Sequence, residues 1–281
     1  MEIIPGDLLE PSSVAHAIGN ADFVIHIAGV TRARRPKEFF EGNVVATRNL
    51  LTAASRSAKL KKICYVSSLT AVGPSPDGAP LDEQSPCKPI TSYGKSKRQA
   101  EEVCQSYSSR VPIVILRPPA VYGPRDKDVL ELFKAARFGI QPDVGSEQKT
   151  LSLLYGPDLA KAIVASTISV RTTGKTYFVA DPTVYMQSRI FDLITELVGS
   201  RSFRPKIPPS LVYTAAAITE FISFFRKKPA VLSIDKARDL MQRHWVCTAE
   251  SLRHDIGFEA ETGLEDGLRL TYQWYLQQNW V

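Results

Sequence analysis

The stretch Lys62-Ile63-Cys64-Tyr65-Val66-Ser67-Ser68 indicates the class of fold, because a short run of β-branched and aromatic residues ends here in two hydroxyls. Such a run is typical of a buried strand whose carboxyl end opens into a loop. In open parallel sheets, ligands bind outside the carboxyl ends of the strands. We therefore expect Ser68 to lie at the edge of the sheet where a ligand would bind.

A second stretch, Tyr93-Gly94-Lys95-Ser96-Lys97, predicts the first turns of a helix after the break Pro89-Ile90-Thr91-Ser92. Residues four apart on a helix lie on one face, with Cβ atoms about 5–6 Å apart. A free tyrosine titrates at about 10, and a nearby cation favours its phenolate form. Of the ten tyrosines, Tyr93 alone has a lysine four positions on. The pair can therefore act on one ligand, although a solvated helix face is the alternative interpretation of the spacing alone.

Ser68, Tyr93 and Lys97 together resemble the serine, tyrosine and lysine triad of the short-chain dehydrogenase/reductase superfamily, in its extended branch of epimerases, dehydratases and hydroxysteroid-type dehydrogenases. The resemblance implies that Tyr93 is the general acid/base, that Lys97 tunes it and holds the cofactor ribose, and that Ser68 orients the substrate oxygen. Tyr93 would then exchange a proton with a hydroxyl or carbonyl, while nicotinamide exchanges a hydride with the adjacent carbon.

Further motifs of the same family follow in order along the chain. Gly6-Asp7-Leu8 resembles the turn beside the adenine, and Ala28-Gly29 resembles the turn where the backbone approaches the cofactor. The run Arg117 to Pro124 is similar to the family's Arg-Pro, valine and Tyr-Gly-Pro pattern, whose backbone faces the nicotinamide ring. The resemblance implies that these residues contact NAD or NADP: Asp7, Leu8, Ala28, Gly29, Tyr93, Lys97, Pro118 and Val121.

The glycine-rich turn that holds the cofactor pyrophosphate is absent from this sequence. Among the sixteen glycines, no two stand two or three positions apart, and only glycine lets the backbone approach the phosphates closely. The chain also begins directly with a predicted strand, Glu2-Ile3-Ile4. We therefore expect an amino-terminally truncated member of the family that binds NAD or NADP weakly or not at all. A divergent phosphate-binding loop is the alternative.

The predicted fold is an α/β doubly wound parallel sheet, Rossmann-like, that lacks its first βα unit and carries a small C-terminal substrate lobe. We expect residues 1–155 to form an incomplete dinucleotide-binding domain, and residues 156–281 to complete the sheet and form the lobe. The apolar helix predicted from Ser210 to Phe225 favours a lipophilic, steroid- or dihydroflavonol-like alcohol or ketone as substrate. A nucleotide-sugar epimerase or dehydratase, and a catalytically silent binding protein, are the alternatives; the absent turn leaves the activity of this chain open.

Composition narrows the partners and the compartment. The net charge is +6, and basic residues concentrate at Arg32 to Lys37 and at Arg226 to Lys228. Neither cluster carries a nucleic-acid motif, so we interpret both as solvated loops and expect no nucleic-acid partner. Four cysteines without CxxC spacing favour reduced thiols in the cytoplasm and no metal site. No signal peptide is recognised. The apolar run from Leu211 to Phe225 is shorter than the ~20 residues of a membrane span. The sequence leaves open whether the protein forms a homodimer and whether it contacts a membrane surface.

Three polar residues in otherwise apolar segments have structural interpretations. His26 lies inside the predicted strand Phe23 to Ile27, which favours a core histidine over a catalytic one. Asn43 lies in a predicted helix from Phe39 to Leu51, where it would stabilise a helix bend or a catalytic water. Arg117, at the end of an apolar strand, is expected to pair with a structural charge.

Overall fold

The computed structural model describes residues 2–145, 148–226, 229–230 and 232–281, so Lys227 and Lys228 of the second basic cluster lie outside the described residues. Short 3₁₀ helices cover Leu69–Ala71 and Val170–Thr172, and a π-helix covers Glu41–Val45. The α-helices are α1 (Pro11–Ile18), α2 (Pro36–Phe40), α3 (Ala46–Ala54), α4 (Ser92–Ser106), α5 (Lys127–Arg137), α6 (Gly156–Ile168), α7 (Gln187–Val198), α8 (Pro209–Arg226), α9 (Ile234–Met241), α10 (Glu250–Ile256) and α11 (Leu264–Gln277). The strands are β1 (Phe23–His26), β2 (Lys62–Val66), β3 (Ile113–Arg117), β4 (Ala120–Tyr122), β5 (Asp143–Val144), β6 (Thr150–Tyr155), β7 (Thr176–Phe178), β8 (Val184–Met186), β9 (Lys206–Ile207) and β10 (His244–Trp245).

The main sheet is parallel throughout, with the strand order β1-β2-β3-β7. Every residue of β2 and β3 is buried, as expected for central strands that are covered on both faces. The predicted strand after residue 61 is therefore confirmed. Because all four strands run in one direction, the loops that follow β1, β2 and β3 emerge at the same edge of the sheet.

Helices cover both faces of this sheet. Ile63 and Tyr65 of β2 pack with residues of α1, α3 and α4 on one side. Cys64 and Val66 point the other way and pack with residues of α6 and α10. This alternation follows the two-residue period of a strand, and it confirms the predicted doubly wound α/β fold.

The carboxy-terminal half carries smaller sheets. One has the order β10-β6-β4, with β8 antiparallel to β6, and another pairs β5 with β9. Strand β7, which follows residue 155 in the chain, belongs to the main sheet. The division into domains at residue 155 stays a prediction, as does the role of the second part as a substrate lobe. None of the helices in the described ranges combines the length and the apolar character needed to cross a bilayer.

Strand β1 is an outer strand of the main sheet, and two of its four side chains are exposed. Phe23 is 40% exposed and Ile25 is 42% exposed. The predicted strand at Glu2-Ile3-Ile4 is wrong: this segment forms no regular structure, and Ile3 is 79% exposed. A strand needs a neighbour to bind its backbone N–H and C=O groups, and no described residue pairs with this segment.

His26 is a core histidine, as predicted. Its ring is buried, and Nε2 lies 2.9 Å from the Thr47 hydroxyl, so a side chain and not the backbone satisfies it. Burial lowers the pKa of His26 to about 4 from its ordinary 6.5, and the nearby Lys97 charge acts in the same direction. The unfolded chain therefore binds a proton at a pH where the folded chain does not.

This difference in proton binding predicts that the free energy of unfolding falls at acidic pH and that His26 causes the fall. Stability falls as the pH drops from about 6.5 towards 4, because protonation of His26 favours the unfolded state. Between pH 7 and pH 5, urea unfolding should show wild type losing about 2 kcal/mol more than His26→Gln. His16→Gln, which removes an exposed histidine, should lose as much as wild type. An equal loss in wild type and His26→Gln would contradict the assignment.

Candidate active site

The start of α4 is fixed against the loop that follows β2. Thr91 caps the helix, its hydroxyl accepting the Gly94 N–H at 3.0 Å. A Cβ at Gly94 would lie only 2.3 Å from the Thr70 carbonyl oxygen, so the first turn can press on this loop only with glycine there. The contact brings Tyr93, on α4, beside Ser68, at the end of β2.

The hydrogen bonds of the Ser68 hydroxyl fix its orientation. Its oxygen accepts hydrogen bonds from the Thr70 N–H at 3.2 Å and from the Thr70 hydroxyl at 2.9 Å. With both lone pairs occupied, the remaining function of the hydroxyl is to donate its proton. Burial raises the pKa of Tyr93, and a hydrogen bond with Ser68 opposes that rise. The Ser68 hydroxyl therefore lies close enough to the Tyr93 phenol to favour its charged form.

Lys97 lies one turn further along α4 and is buried. Its ammonium donates to the Val66 carbonyl at 2.6 Å and lies 4.5 Å from the centre of the Tyr65 ring. Burial lowers its pKa to about 8, against the opposing effects of Glu101 and Cys104. A Cβ built on Gly29 would lie 3.9 Å from the Lys97 Nζ. The structure therefore brings a predicted cofactor turn and the predicted catalytic lysine together.

Asn43 holds the loop after β1 in place. Its side-chain oxygen accepts the Val30 N–H at 2.7 Å, and its amide donates to the Val30 carbonyl at 3.0 Å and to the Ser96 hydroxyl at 2.8 Å. It lies in the π-helix, a feature that often marks functional sites. These bonds join the loop to α4, in agreement with the structural interpretation of Asn43.

Glu101 is a site residue that the sequence analysis missed. It is fully buried and accepts hydrogen bonds from the Ser67 hydroxyl at 2.5 Å and from the Arg117 guanidinium at 2.9 and 2.7 Å. Arg117 thus has the structural charge partner that was expected of it. The missed signal was spacing, since Glu101 follows Tyr93 and Lys97 at four-residue intervals on one helix face.

The remaining residues that were predicted to contact the cofactor lie in different parts of the structure. The Pro118 carbonyl accepts the Leu69 N–H at 2.8 Å, which joins its loop to that of Ser68. Val121 is partly exposed on β4. Asp7 and Leu8 form a turn of their own: Asp7 accepts the Leu9 N–H, and the Leu8 carbonyl accepts from Asn49. The structure therefore gathers Ser68, Tyr93, Lys97, Gly29 and Pro118, and leaves Asp7, Leu8 and Val121 outside these contacts.

The gathered residues fit the nicotinamide and ribose part of a dinucleotide. Ala28 and Gly29 are exposed, so a ligand can reach the backbone there. A Cβ on Gly29 would meet the Asn43 side-chain oxygen at 2.8 Å, which favours glycine at this position. The Lys97 ammonium lies next to Gly29. For the pyrophosphate, the sequence supplies no glycine-rich turn. Within the part of the chain that the structure describes, no cluster of His, Cys, Asp and Glu side chains could hold a metal ion.

A cavity of about 320 Å³ lies beside Tyr93. It is lined by Ser92, the residue before Tyr93, and by Phe39, whose ring centre is 6.1 Å from that of Tyr93. Its other lining residues are Ala33, Arg34, Arg35, Pro36, Glu220, Ser223, Ser233, Ile234 and Asp235. Arg32, Arg35 and Lys37 are exposed and Arg34 is half-buried, but the prediction of a loop is wrong for Pro36 and Lys37, which begin α2.

The sequence model of the NAD dependent epimerase/dehydratase family matches residues 1–180. The chain therefore belongs to that family, which confirms its resemblance to the extended short-chain dehydrogenases/reductases.

Three similar proteins illustrate the family's range. A ceramide reductase of Caulobacter vibrioides is 28% identical over 292 residues, covering 100% of this chain and 82% of its own. A 2-alkyl-3-oxoalkanoate reductase of Shewanella oneidensis is 23% identical, over 95% of this chain and 73% of its own. The structure of a UDP-glucuronic acid 4-epimerase from Bacillus cereus, in complex with UDP-glucuronic acid and NAD, has a TM-score of 0.79 at 19% identity, covering 97% of this chain and 80% of its own.

The buried Glu101 carboxylate generates a stability prediction. Glu101→Gln leaves the Arg117 guanidinium buried without its counter-charge, so it should lower the free energy of unfolding by about 3–5 kcal/mol. Urea unfolding followed by circular dichroism measures this. Glu102→Gln is the matched control, because Glu102 is an exposed neighbour on the same helix and its removal should cost under about 1 kcal/mol. Equal losses in the two variants would contradict the role of Glu101.

Proposed function

We propose that the chain is an NAD(P)-dependent oxidoreductase that acts on a CH–OH or ketone group of a lipophilic substrate. The observation that carries the proposal is the packing of the first turn of α4 on the loop of Ser68, through Gly94 and Thr70. It places Tyr93 near Ser68, one helical turn from the buried Lys97, which lies beside Gly29. Membership of the NAD-dependent epimerase/dehydratase family supports the use of a nicotinamide cofactor.

In the direction of reduction, Tyr93 carries the proton at neutral pH, since a free phenol titrates at about 10 and burial raises the pKa of Tyr93 further. Ser68 turns its O–H from Tyr93 to the substrate carbonyl and orients it, and Tyr93 gives its proton to the same oxygen. Lys97, whose pKa is about 8, stabilises the resulting phenolate while it is charged. When bound, the nicotinamide supplies the hydride. In oxidation, each of these residues acts in reverse.

The lipophilic substrate is supported by the apolar residues that line the cavity together with its polar ones: Ala33, Pro36, Phe39 and Ile234. Such a mixed lining suits a ligand with an apolar part and a polar part. Two similar proteins bear the names ceramide reductase and 2-alkyl-3-oxoalkanoate reductase, both of which denote lipid-like substrates.

Nucleotide-sugar epimerisation is the second candidate, supported by the likeness to the UDP-glucuronic acid 4-epimerase. The two reactions differ in their cofactor balance. Oxidation or reduction changes the cofactor by one equivalent per turnover, while epimerisation returns it to its starting state. A catalytically silent binding protein is the third candidate, supported by the absence of a glycine-rich turn from the sequence. The compartment, a homodimer and a peripheral membrane contact stay predictions.

Tyr93→Phe tests the role of the phenol. Without the hydroxyl, no proton is available at the carbonyl oxygen, and kcat should fall by about 10²–10⁴-fold. Oxidation or reduction of a medium-chain ketone and alcohol pair at millimolar NADH or NADPH provides the assay. Tyr107→Phe, at the far end of α4, should retain wild-type activity. A Tyr93→Phe variant as active as wild type would refute this proposal.

Cofactor affinity is the second measurement. Because the sequence lacks the turn that brings backbone N–H groups to the phosphates, calorimetric titration of the folded chain with NADH and with NADPH should detect no micromolar binding. Micromolar binding of either cofactor would contradict this expectation, and would point to a phosphate-binding loop of another kind.

A further inference from the structure

We propose that the outer side of α8 binds the surface of a lipid bilayer that contains anionic phospholipids, with the helix axis parallel to the plane of the membrane. The proposal concerns a surface outside the candidate active site, and it holds whether or not the chain turns over NAD or NADP. It is carried by the apolar side chains that α8 exposes, by the contacts that fix its inner side, and by the basic residues before and after it in the sequence.

The outer side of α8 is apolar along its length. Leu211, Ile218 and Phe225 are seven positions apart, so they lie on one face of the helix. Phe221 and Ile222 follow Ile218 by three and four positions, which places both on the same face. These five side chains are between 42% and 69% exposed. Because the outer side of a surface helix in water is usually polar, we expect an apolar partner to cover this face.

The inner side of α8 is held by the protein itself. Val212 and Ala216 are buried and belong to one apolar cluster with Ala237 of α9. Glu220, the only charged residue between positions 210 and 225 of the sequence, accepts the Ile234 N–H at 3.0 Å. Helix α8 therefore cannot turn its apolar outer side inward without breaking these contacts.

Basic residues precede and follow α8. Lys206 of β9 is exposed, three positions before the helix begins. In the sequence, the basic cluster from Arg226 to Lys228 follows directly after Phe225, and the whole chain carries a net charge of +6. Cationic residues next to an apolar helix face draw the helix to anionic lipid headgroups. The charges therefore complement a bilayer that contains anionic lipids.

The size of the face favours a bilayer over a second copy of the chain. Helix α8 has 18 residues, so it is about 27 Å long and about 10 Å wide, and one side of it offers only a few hundred Å². A stable protein complex buries about 800 Å² on each partner. An apolar patch of this smaller size suits a fluid lipid surface, which needs no matching shape.

Cosedimentation of the whole chain with lipid vesicles tests the inference. Vesicles of equal parts phosphatidylcholine and phosphatidylglycerol should bind wild type, and vesicles of phosphatidylcholine alone should bind it more weakly. Ile218→Gln/Phe221→Gln should lower the partition coefficient about tenfold or more. Ile168→Gln/Val170→Gln is the matched control, because it removes two exposed apolar side chains outside α8, and it should bind like wild type.

Absence of wild-type binding to the mixed vesicles would overturn the inference. So would equal binding by wild type and the α8 variant, or an equal loss in the control variant, because α8 would then not be the contact. Equal binding to both kinds of vesicle would overturn the role of anionic lipids. Sedimentation equilibrium without lipid identifies a second copy: a wild-type dimer that the α8 variant converts to a monomer would assign the face to self-association.

Phe221→Trp gives an independent readout, because it keeps an aromatic side chain at this exposed position and does not depend on how the glutamine variant folds. The emission of an indole shifts to shorter wavelength when it leaves water for the membrane interface. After subtraction of the wild-type signal, which comes from three native tryptophans, the emission of Phe221→Trp should shift in this way when mixed vesicles are added. An unchanged emission would contradict the inference.

Discussion

The carboxylate of Glu101 is the fixed point around which the site is arranged. It accepts the Ser67 hydroxyl from the end of β2 and the Arg117 guanidinium from the end of β3, and it belongs to α4 itself. A buried charge is tolerated only while its partners stay in place. Helix α4 therefore cannot slide or rotate against the sheet without breaking this pair. Lys97 and Tyr93, one and two turns earlier on the same face, take their positions from it.

Burial at this edge of the sheet acts on the titrating groups in opposite directions. It raises the pKa of Tyr93 and lowers the pKa of Lys97 to about 8, because a low dielectric favours the neutral form of both groups. At neutral pH the Tyr93 phenol keeps its proton. The Lys97 ammonium loses its proton at a pH only slightly above neutral, because its pKa is about 8. In the proposed reaction, the phenol donates its proton and the charge that Lys97 carries stabilises the phenolate.

The elements that follow from local pattern could be predicted from the sequence. The apolar run of β2 and the break before Ser92 fix a buried strand and a helix start, and the two candidate catalytic residues on α4 follow from spacing. Contacts between distant segments could not be predicted. The bond from Asn43 to Ser96 spans 53 positions, and Arg34 lines a cavity only because α8 and α9 pack across from it. The segment Glu2 to Ile4 has strand composition, but pairing depends on a neighbour that no local pattern encodes.

The outer strand β1 gives the protein a surface chemistry of its own. No strand among the described residues pairs with its outer edge, which presents backbone N–H and C=O groups beside the exposed Phe23 and Ile25. Such an edge is a template to which another extended chain can add. Two charged side chains lie at the start of this strand. Asp22 pairs with Lys61 at 3.1 Å, and the Lys61 ammonium lies 5.9 Å from the centre of the Phe23 ring. Because salt screens exposed charges, any association of chains through this edge should depend on ionic strength.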